Sequence, residues 1–239
     1  MVASVGTVNT GAVDPLGAIT DVFAAHGVWL HVDGAYGGPA GLLLPELTEV
    51  REQLRRVDSL ALDPHKWFYV PVAAGLVLLR DDANARDAFS LVPAYLQAEP
   101  SADEPVWFSE YGLEQTRAFR ALKVWAQVRH IGFGGYRELI TRDIAVAGVL
   151  RTLLEGADDM ELLAHGLSIV CFRHRPHGMP PGELDEHNRR LAVELQRDGR
   201  AFIASTVVGG VTALRACIVN PYTTSADAAA LLEAVRAAG

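Results

Sequence analysis

Val28-Trp29-Leu30-His31-Val32-Asp33-Gly34-Ala35-Tyr36-Gly37-Gly38 is the stretch that decides the fold. Its first half is a short run of branched, aliphatic and aromatic residues with no helical spacing, the pattern of a strand covered on both faces. The run ends at an acid, and four glycines between Gly34 and Gly41 predict a loop beyond it. Upstream, Asp14-Pro15 reads as a helix start, with Asp as N-cap and Pro at the first helical position. Leu16, Ile19, Val22 and Phe23 then line one helix face, which stops near Gly27. Before that helix lies a short buried strand over 2–6, and after the central strand comes a charged helix over 46–56. Two further strands follow at 59–62 and 75–79. Strand, helix, strand, helix, strand at this spacing predicts an α/β architecture with a mostly parallel sheet.

The rest of the chain has another rhythm. Residues 81–112, with Pro93, Pro100 and Pro105, read as an irregular functional or mobile loop. Helices are predicted over 113–130 and 135–154. A strand at 167–172, a Pro-rich turn at 176–182, a helix at 183–198, strands near 201–207 and 213–219, and a helix at 225–238 complete it. Helices on one face of an antiparallel sheet make a small α+β domain. The predicted division is 1–130 for the large domain and 131–239 for a connecting helix plus the small domain.

Half of the 239 residues are hydrophobic, which supplies a core, and the net charge of −8 argues against nucleic acid as the partner. No run approaches the length of a membrane span. The first residues lack the basic and long apolar regions of a secretory signal, so a cytoplasmic chain is expected. Cys171 and Cys217 sit in apolar, strand-like contexts and read as buried thiols. No metal site is expected: the eight histidines are dispersed, and His174 and His177, beside prolines, read as an exposed turn.

Parallel sheets place ligands beyond the carboxyl ends of their strands. Three such ends fall at Thr7, at Asp33 and at Asp63-Pro64-His65-Lys66-Trp67. An acid and a lysine, each just past a strand, suit a site for a pyridine ring carrying an aldehyde: the amine forms an imine and the carboxylate faces the ring nitrogen. By position alone, both residues also fit an ordinary solvated sheet end.

His31-Val32-Asp33-Gly34-Ala35-Tyr36-Gly37-Gly38 followed by Asp63-Pro64-His65-Lys66-Trp67 closely resembles the signature of the group II pyridoxal-phosphate-dependent amino-acid decarboxylases, which include the aromatic-amino-acid, histidine and glutamate enzymes. Gly6-Thr7 through Asp14-Pro15, Arg117 to Trp125, and Leu214-Arg215 through Asn220-Pro221 resemble three further blocks in the same order. The resemblance implies part of a fold-type I large domain plus a small α+β C-terminal domain. The cofactor it implies is pyridoxal 5'-phosphate and the reaction is decarboxylation of an L-amino acid to an amine and CO2. Lys66 would hold the cofactor as a Schiff base and Asp33 would pair with its ring nitrogen. Ala35 would pack on one ring face, His65 would lie near the phosphate, and Thr7 would lie near the ring. Arg215 matches an arginine that grips a substrate carboxylate in the glutamate branch. A homodimer is implied as well.

That family is about twice as long, so the chain is expected to correspond to its C-terminal half, without the phosphate-binding turn and the ring-stacking histidine. The position where the aromatic branch carries a loop tyrosine that returns a proton falls on Phe108, with Trp107, Ser109 and Tyr111 beside it, and the donor stays open. Two alternatives remain: another fold-type I enzyme, such as an aldehyde-forming synthase, or an inactive piece that associates with a partner chain.

Overall fold

The structure, a computed structural model, describes residues 1–93, 95 and 106–239. Its first sheet has the order β1 (Val2–Ser4), β2 (His31–Asp33), β3 (Ser59–Leu62) and β4 (Leu76–Leu79). The first three strands run parallel and β4 pairs antiparallel to β3. The largely parallel sheet thus carries one reversed edge strand, because residues 63–75 return the chain beside β3 without a crossover helix.

Register and pleat divide this sheet into two faces. Ala3, Val32 and Leu60 lie side by side and are buried, together with Val5 and Leu62, against Leu16 of α1 (Leu16–His26) and Leu54 of α3 (Thr48–Leu54). Ser4, Asp33 and Ala61 lie side by side on the opposite face. Asp14 does not cap α1: its carboxylate accepts the Ser4 N–H at 2.8 Å instead, and Pro15 holds the cap position without a side-chain bond. The acid anchors the returning loop to β1.

The second half of the Gly34–Gly41 stretch expected as loop belongs to a short helix, α2 (Gly38–Leu43). It forms because glycine permits very close packing: a Cβ on Gly38 would collide with Leu62, and one on Gly41 would press on Val50 at 3.1 Å. Within 81–112, α4 (Ala83–Phe89) and a short 3-10 turn at Phe108–Tyr111 are regular; residues 94 and 96–105 lie outside the described residues.

α5 (Arg120–Glu155) begins later than expected, and its two helical segments meet at Gly132, whose φ of 71° and ψ of 164° interrupt the ladder. The second sheet is fully antiparallel, in the order β5 (Met160–Gly166), β6 (Ile169–His174), β8 (Val211–Cys217), β7 (Ala204–Val208). α6 (Leu184–Arg197), α7 (Ser225–Ala238) and the second half of α5 cover one face, around Phe172, Leu150, Leu191, Leu195, Leu214 and Val235. His174 is buried at the end of β6 and bonds to His187 at 3.0 Å, so the expected exposed turn begins one residue later. Cys171 is buried, whereas Cys217 is half-buried.

The other face of the second sheet, carrying Ile169, Cys171 and Ala213, packs on Tyr36, Ala40 and Trp67 from the strand-end loops of the first sheet. The β5–β6 turn completes the seam. A Cβ on Gly11 would collide with the Gly166 carbonyl oxygen, and the Cys171 thiol donates to the Asn9 carbonyl at 3.1 Å. Two backbones thus meet where side chains are absent. Among the described residues no helix is long and apolar enough to cross a membrane.

Candidate functional site

Asp33 is the last residue of β2, and Asp63 follows the end of β3. The Asp63 N–H donates to the Ala35 carbonyl at 3.3 Å and the Gly34 N–H to the Ala61 carbonyl at 3.0 Å, so the two exits stay paired. A Cβ on Gly34 would lie 2.9 Å from Leu60 Cδ1 and 3.1 Å from the Ala61 oxygen; only glycine lets the chain leave β2 this close to β3. The Asp33 carboxylate is exposed, and its Oδ1 accepts the Ala35 N–H at 3.0 Å. Ala35 itself is half-buried in this turn.

After β3 the chain winds a tight turn. The Lys66 N–H donates to the Asp63 carbonyl at 2.8 Å, the Tyr69 N–H to Lys66 at 3.0 Å and the Val70 N–H to Pro64 at 3.0 Å. The Lys66 ammonium projects into the open and forms an ion pair with Asp63 Oδ2 at 2.7 Å. His65 turns the other way, its Nδ1 lying 2.6 Å from the Ala74 carbonyl oxygen, which ties the turn to the approach of β4. Thr7 lies beyond β1, where its hydroxyl accepts the Ala12 N–H at 3.1 Å and meets the Thr10 hydroxyl at 3.1 Å. The Val5 N–H, donating to the Asp33 carbonyl at 2.9 Å, keeps that exit beside β2. Thr7, Asp33, Ala35, His65 and Lys66 therefore gather at the carboxyl ends of three neighbouring parallel strands.

Arg215 comes from the other sheet. On β8 it lies opposite Cys171 of β6, on the face that packs against Tyr36 and Trp67. Its charge bears on Tyr36, Cys171 and Cys217, and its Nε is buried without a partner. Burial nevertheless dominates Cys217 and pushes the thiol up, as it does Cys171. Phe108 is exposed, and the Tyr111 hydroxyl stands 3.5 Å from Asp82 Oδ2.

The aromatic packing beneath this site is the part that sequence reading missed. Tyr36 stacks on Trp67 with ring centroids 4.8 Å apart and an interplanar angle of 13°. The Tyr36 hydroxyl meets Ser168 Oγ at 2.7 Å and accepts the Ser168 N–H at 2.9 Å. Burial pushes the Tyr36 phenol far up, so it stays a neutral hydroxyl. Trp67 and Tyr69 both donate to Asp143 of α5, at 2.9 and 2.7 Å. The available signal was Asp143 itself, a lone acid on the apolar stripe Tyr136, Ile140, Ala147, Leu150.

A lysine amine and an acid on adjacent strand ends are the donor set of a pyridoxal site. The family model for the pyridoxal-dependent decarboxylase conserved domain matches residues 1–175. The chain belongs to the pyridoxal-dependent decarboxylase family. It is 34% identical to an aromatic-L-amino-acid decarboxylase of Bacillus atrophaeus over 99% of this chain and 50% of that protein. It is 35% identical to tryptophan decarboxylase 1 of Oryza sativa subsp. japonica over 89% of this chain and 42% of that one. The crystal structure of Oryza sativa TDC with PLP and tryptamine superposes with a TM-score of 0.91 at 32% identity, covering 99% of this chain and 49% of that one. The chain thus has the fold-type I architecture of this family and spans about half the length of the relatives it matches.

Proposed function

We propose that the chain carries the lysine and the ring-facing acid of a pyridoxal-phosphate-dependent carboxy-lyase that converts an aromatic L-amino acid to its amine and CO2. The observation that supports this most is the position of Lys66 and Asp33 at the carboxyl ends of β3 and β2, hydrogen-bonded neighbours in one parallel sheet. The choice of an aromatic substrate rests on the names of the relatives, aromatic-L-amino-acid and tryptophan decarboxylases.

When bound, the cofactor supplies an electron sink for the pair released as the α-carbon loses its carboxylate. Lys66 provides the attaching amine, and Asp63, 2.7 Å away, holds that amine over the strand ends. Asp33 would pair with the pyridine nitrogen and keep it protonated; one of its oxygens already accepts the Ala35 N–H. With the cofactor in place, Ala35 would offer its small side chain to the ring, the Thr7 hydroxyl would be a polar neighbour of the ring, and His65 would lie towards the phosphate. Arg215 receives the substrate carboxylate, for which its buried, unpartnered Nε is a waiting donor. The protein works as a homodimer.

Only two lysines occur in the chain, Lys66 and Lys123. Borohydride reduction of the chain mixed with pyridoxal phosphate, followed by peptide mapping, should therefore label Lys66 in preference to Lys123. Lys66→Ala should remove that label and all release of CO2 from carboxyl-labelled aromatic amino acids. Retention of CO2 release by Lys66→Ala would refute the assignment.

A further inference from the structure

We propose that Asp143 is a positioning residue of the lysine-bearing turn: through Trp67 and Tyr69 it fixes the direction in which the Lys66 amine points. This rests on the reading of Lys66 as the reacting amine.

Asp143 sits in the middle of α5 and is fully buried. One of its oxygens, Oδ2, receives both the Trp67 indole N–H at 2.9 Å and the Tyr69 hydroxyl at 2.7 Å. The two donors are the residues one and three positions after Lys66, so the turn hangs from a single acceptor on both sides of the bend. One helical face grips it twice, because the Tyr136 hydroxyl donates to the Phe68 carbonyl at 3.0 Å. Tyr69 has a φ of 54°, the left-handed region that a bulky side chain enters only when its surroundings hold it there. The bond to Asp143 holds the side chain, and the Tyr69 N–H bond to the Lys66 carbonyl holds the backbone. Trp67, fully buried and stacked on Tyr36, passes the constraint to the turn that follows Asp33.

A filler would not be an acid. A buried carboxyl group is costly to desolvate, and Asp143 Oδ1 has no partner. Burial raises its pKa against the two donated hydrogen bonds, which lower it. A leucine would fill the space without that penalty but would leave an indole N–H and a phenol unpaired. What the acid adds is one acceptor on which two donors converge, and convergence is what orients a turn.

The test uses the 239-residue chain and pyridoxal phosphate as the probe, with borohydride trapping and the Lys66 to Lys123 labelling ratio as the readout. Lys123 on α5 is the internal reference, and thermal melting reports the fold. Asp143→Leu should lower the ratio at least about tenfold while the chain still melts cooperatively, because Lys66 then samples many directions. Asp143→Asn keeps an acceptor oxygen and should hold the ratio within about twofold of the parent. Tyr69→Phe removes one donor only and should lower the ratio about threefold; it decides the matter if Asp143→Leu fails to fold. A folded Asp143→Leu, or a Tyr69→Phe, that labels Lys66 as selectively as the parent overturns the proposal, and so does an Asp143→Asn that loses selectivity. A parent without preference for Lys66 instead removes the reading of Lys66 itself, and the proposal with it.

Discussion

Acidification from pH 7.5 to 5.5 should destabilise the second sheet through one buried pair, His174 and His187. His174 Nδ1 and His187 Nε2 are 3.0 Å apart, so one nitrogen must carry a proton and the other must not. The partners of the remaining nitrogens choose the tautomer. His187 Nδ1 is buried with no partner, and a proton there would be an unsatisfied buried donor. His174 Nε2 stands 4.0 Å from Asp159 Oδ2, where a proton is welcome. His187 therefore donates from Nε2, and His174 accepts at Nδ1. A further proton has no good site: on His174 Nδ1 it breaks the shared bond, and on His187 Nδ1 it meets no acceptor. Asp159 offers limited help, because Arg236 already holds its carboxylate at 2.8 and 2.9 Å. Burial pushes His174 down first, with His187 and Arg236 acting the same way and Asp159 opposing them. Burial likewise lowers His187, helped by Arg190 and opposed by Glu194.

The sign follows from those directions. Each imidazole has a folded pKa below its unfolded value of about 6.5, so the unfolded chain binds more protons and stability falls as pH drops below that value. The greatest cost this lowering can bring between pH 7.5 and 5.5 is about 1.4 kcal/mol for each histidine, or about 2.7 kcal/mol for the pair. With a urea slope of about 2.5 kcal/mol per molar, the midpoint should fall across this interval, by at most about 1 M. His187→Gln keeps a donor toward His174 Nδ1 but does not titrate, and it should lose about half of that shift. Urea titrations at the two pH values, read by far-UV circular dichroism, measure both. Equal midpoint shifts in parent and variant would refute the argument. So would an NMR titration in which either imidazole takes its proton above pH 6.5.

Two further substitutions test how the sheets are joined and filled. Gly11→Ala forces a side chain into a φ of 72° and into the Gly166 carbonyl. It should cost at least about 2 kcal/mol and lower the melting temperature by about 4–8 °C, and an unchanged melt would show that the seam yields freely. Phe172→Ala empties a fully buried position in the core of the second sheet. It should cost about 3–5 kcal/mol, and chemical unfolding that registers less than about 1 kcal/mol would mean the core refills around it.

The parts of the site written in contiguous words were legible in the sequence, because strand ends and their following turns are local events. Asp33 ends a strand and Lys66 follows one, and neither fact needs the rest of the molecule. Elements decided by distant partners were not legible. β5, Met160-Glu161-Leu162-Leu163-Ala164-His165-Gly166, is rich in helix-forming residues and lacks clean alternation; pairing with β6, across a register shift between Leu162 and Ala164, makes it a strand. α2 hid behind two glycines that read as loop, yet their missing side chains are what allow it to sit against Leu62 of β3 and Val50 of α3. His174 read as exposed because prolines follow closely, and only the arrival of α6 with His187 and Asn188 buries it.

The same distinction separates what the strand-end residues can do from what makes them do it. An amine and an acid at neighbouring strand ends are a chemical opportunity that many parallel sheets could present. Here the two turns are also bound to each other and to the second sheet. Tyr36 reaches Ser168 from one turn, Trp67 and Tyr69 reach Asp143 from the other, and the Tyr36–Trp67 stack joins them. Every link spans a long stretch of chain, so α5 and the β5–β6 turn must be in place before the orientation of Lys66 is defined. On the proposed reading of Lys66, α5 and the second sheet are then a structural requirement of the reacting amine, and the second sheet is also the source of Arg215. Loosening that seam should impair the selectivity of Lys66 before it unfolds the first sheet, whose own core of Ala3, Val32 and Leu60 is built without it.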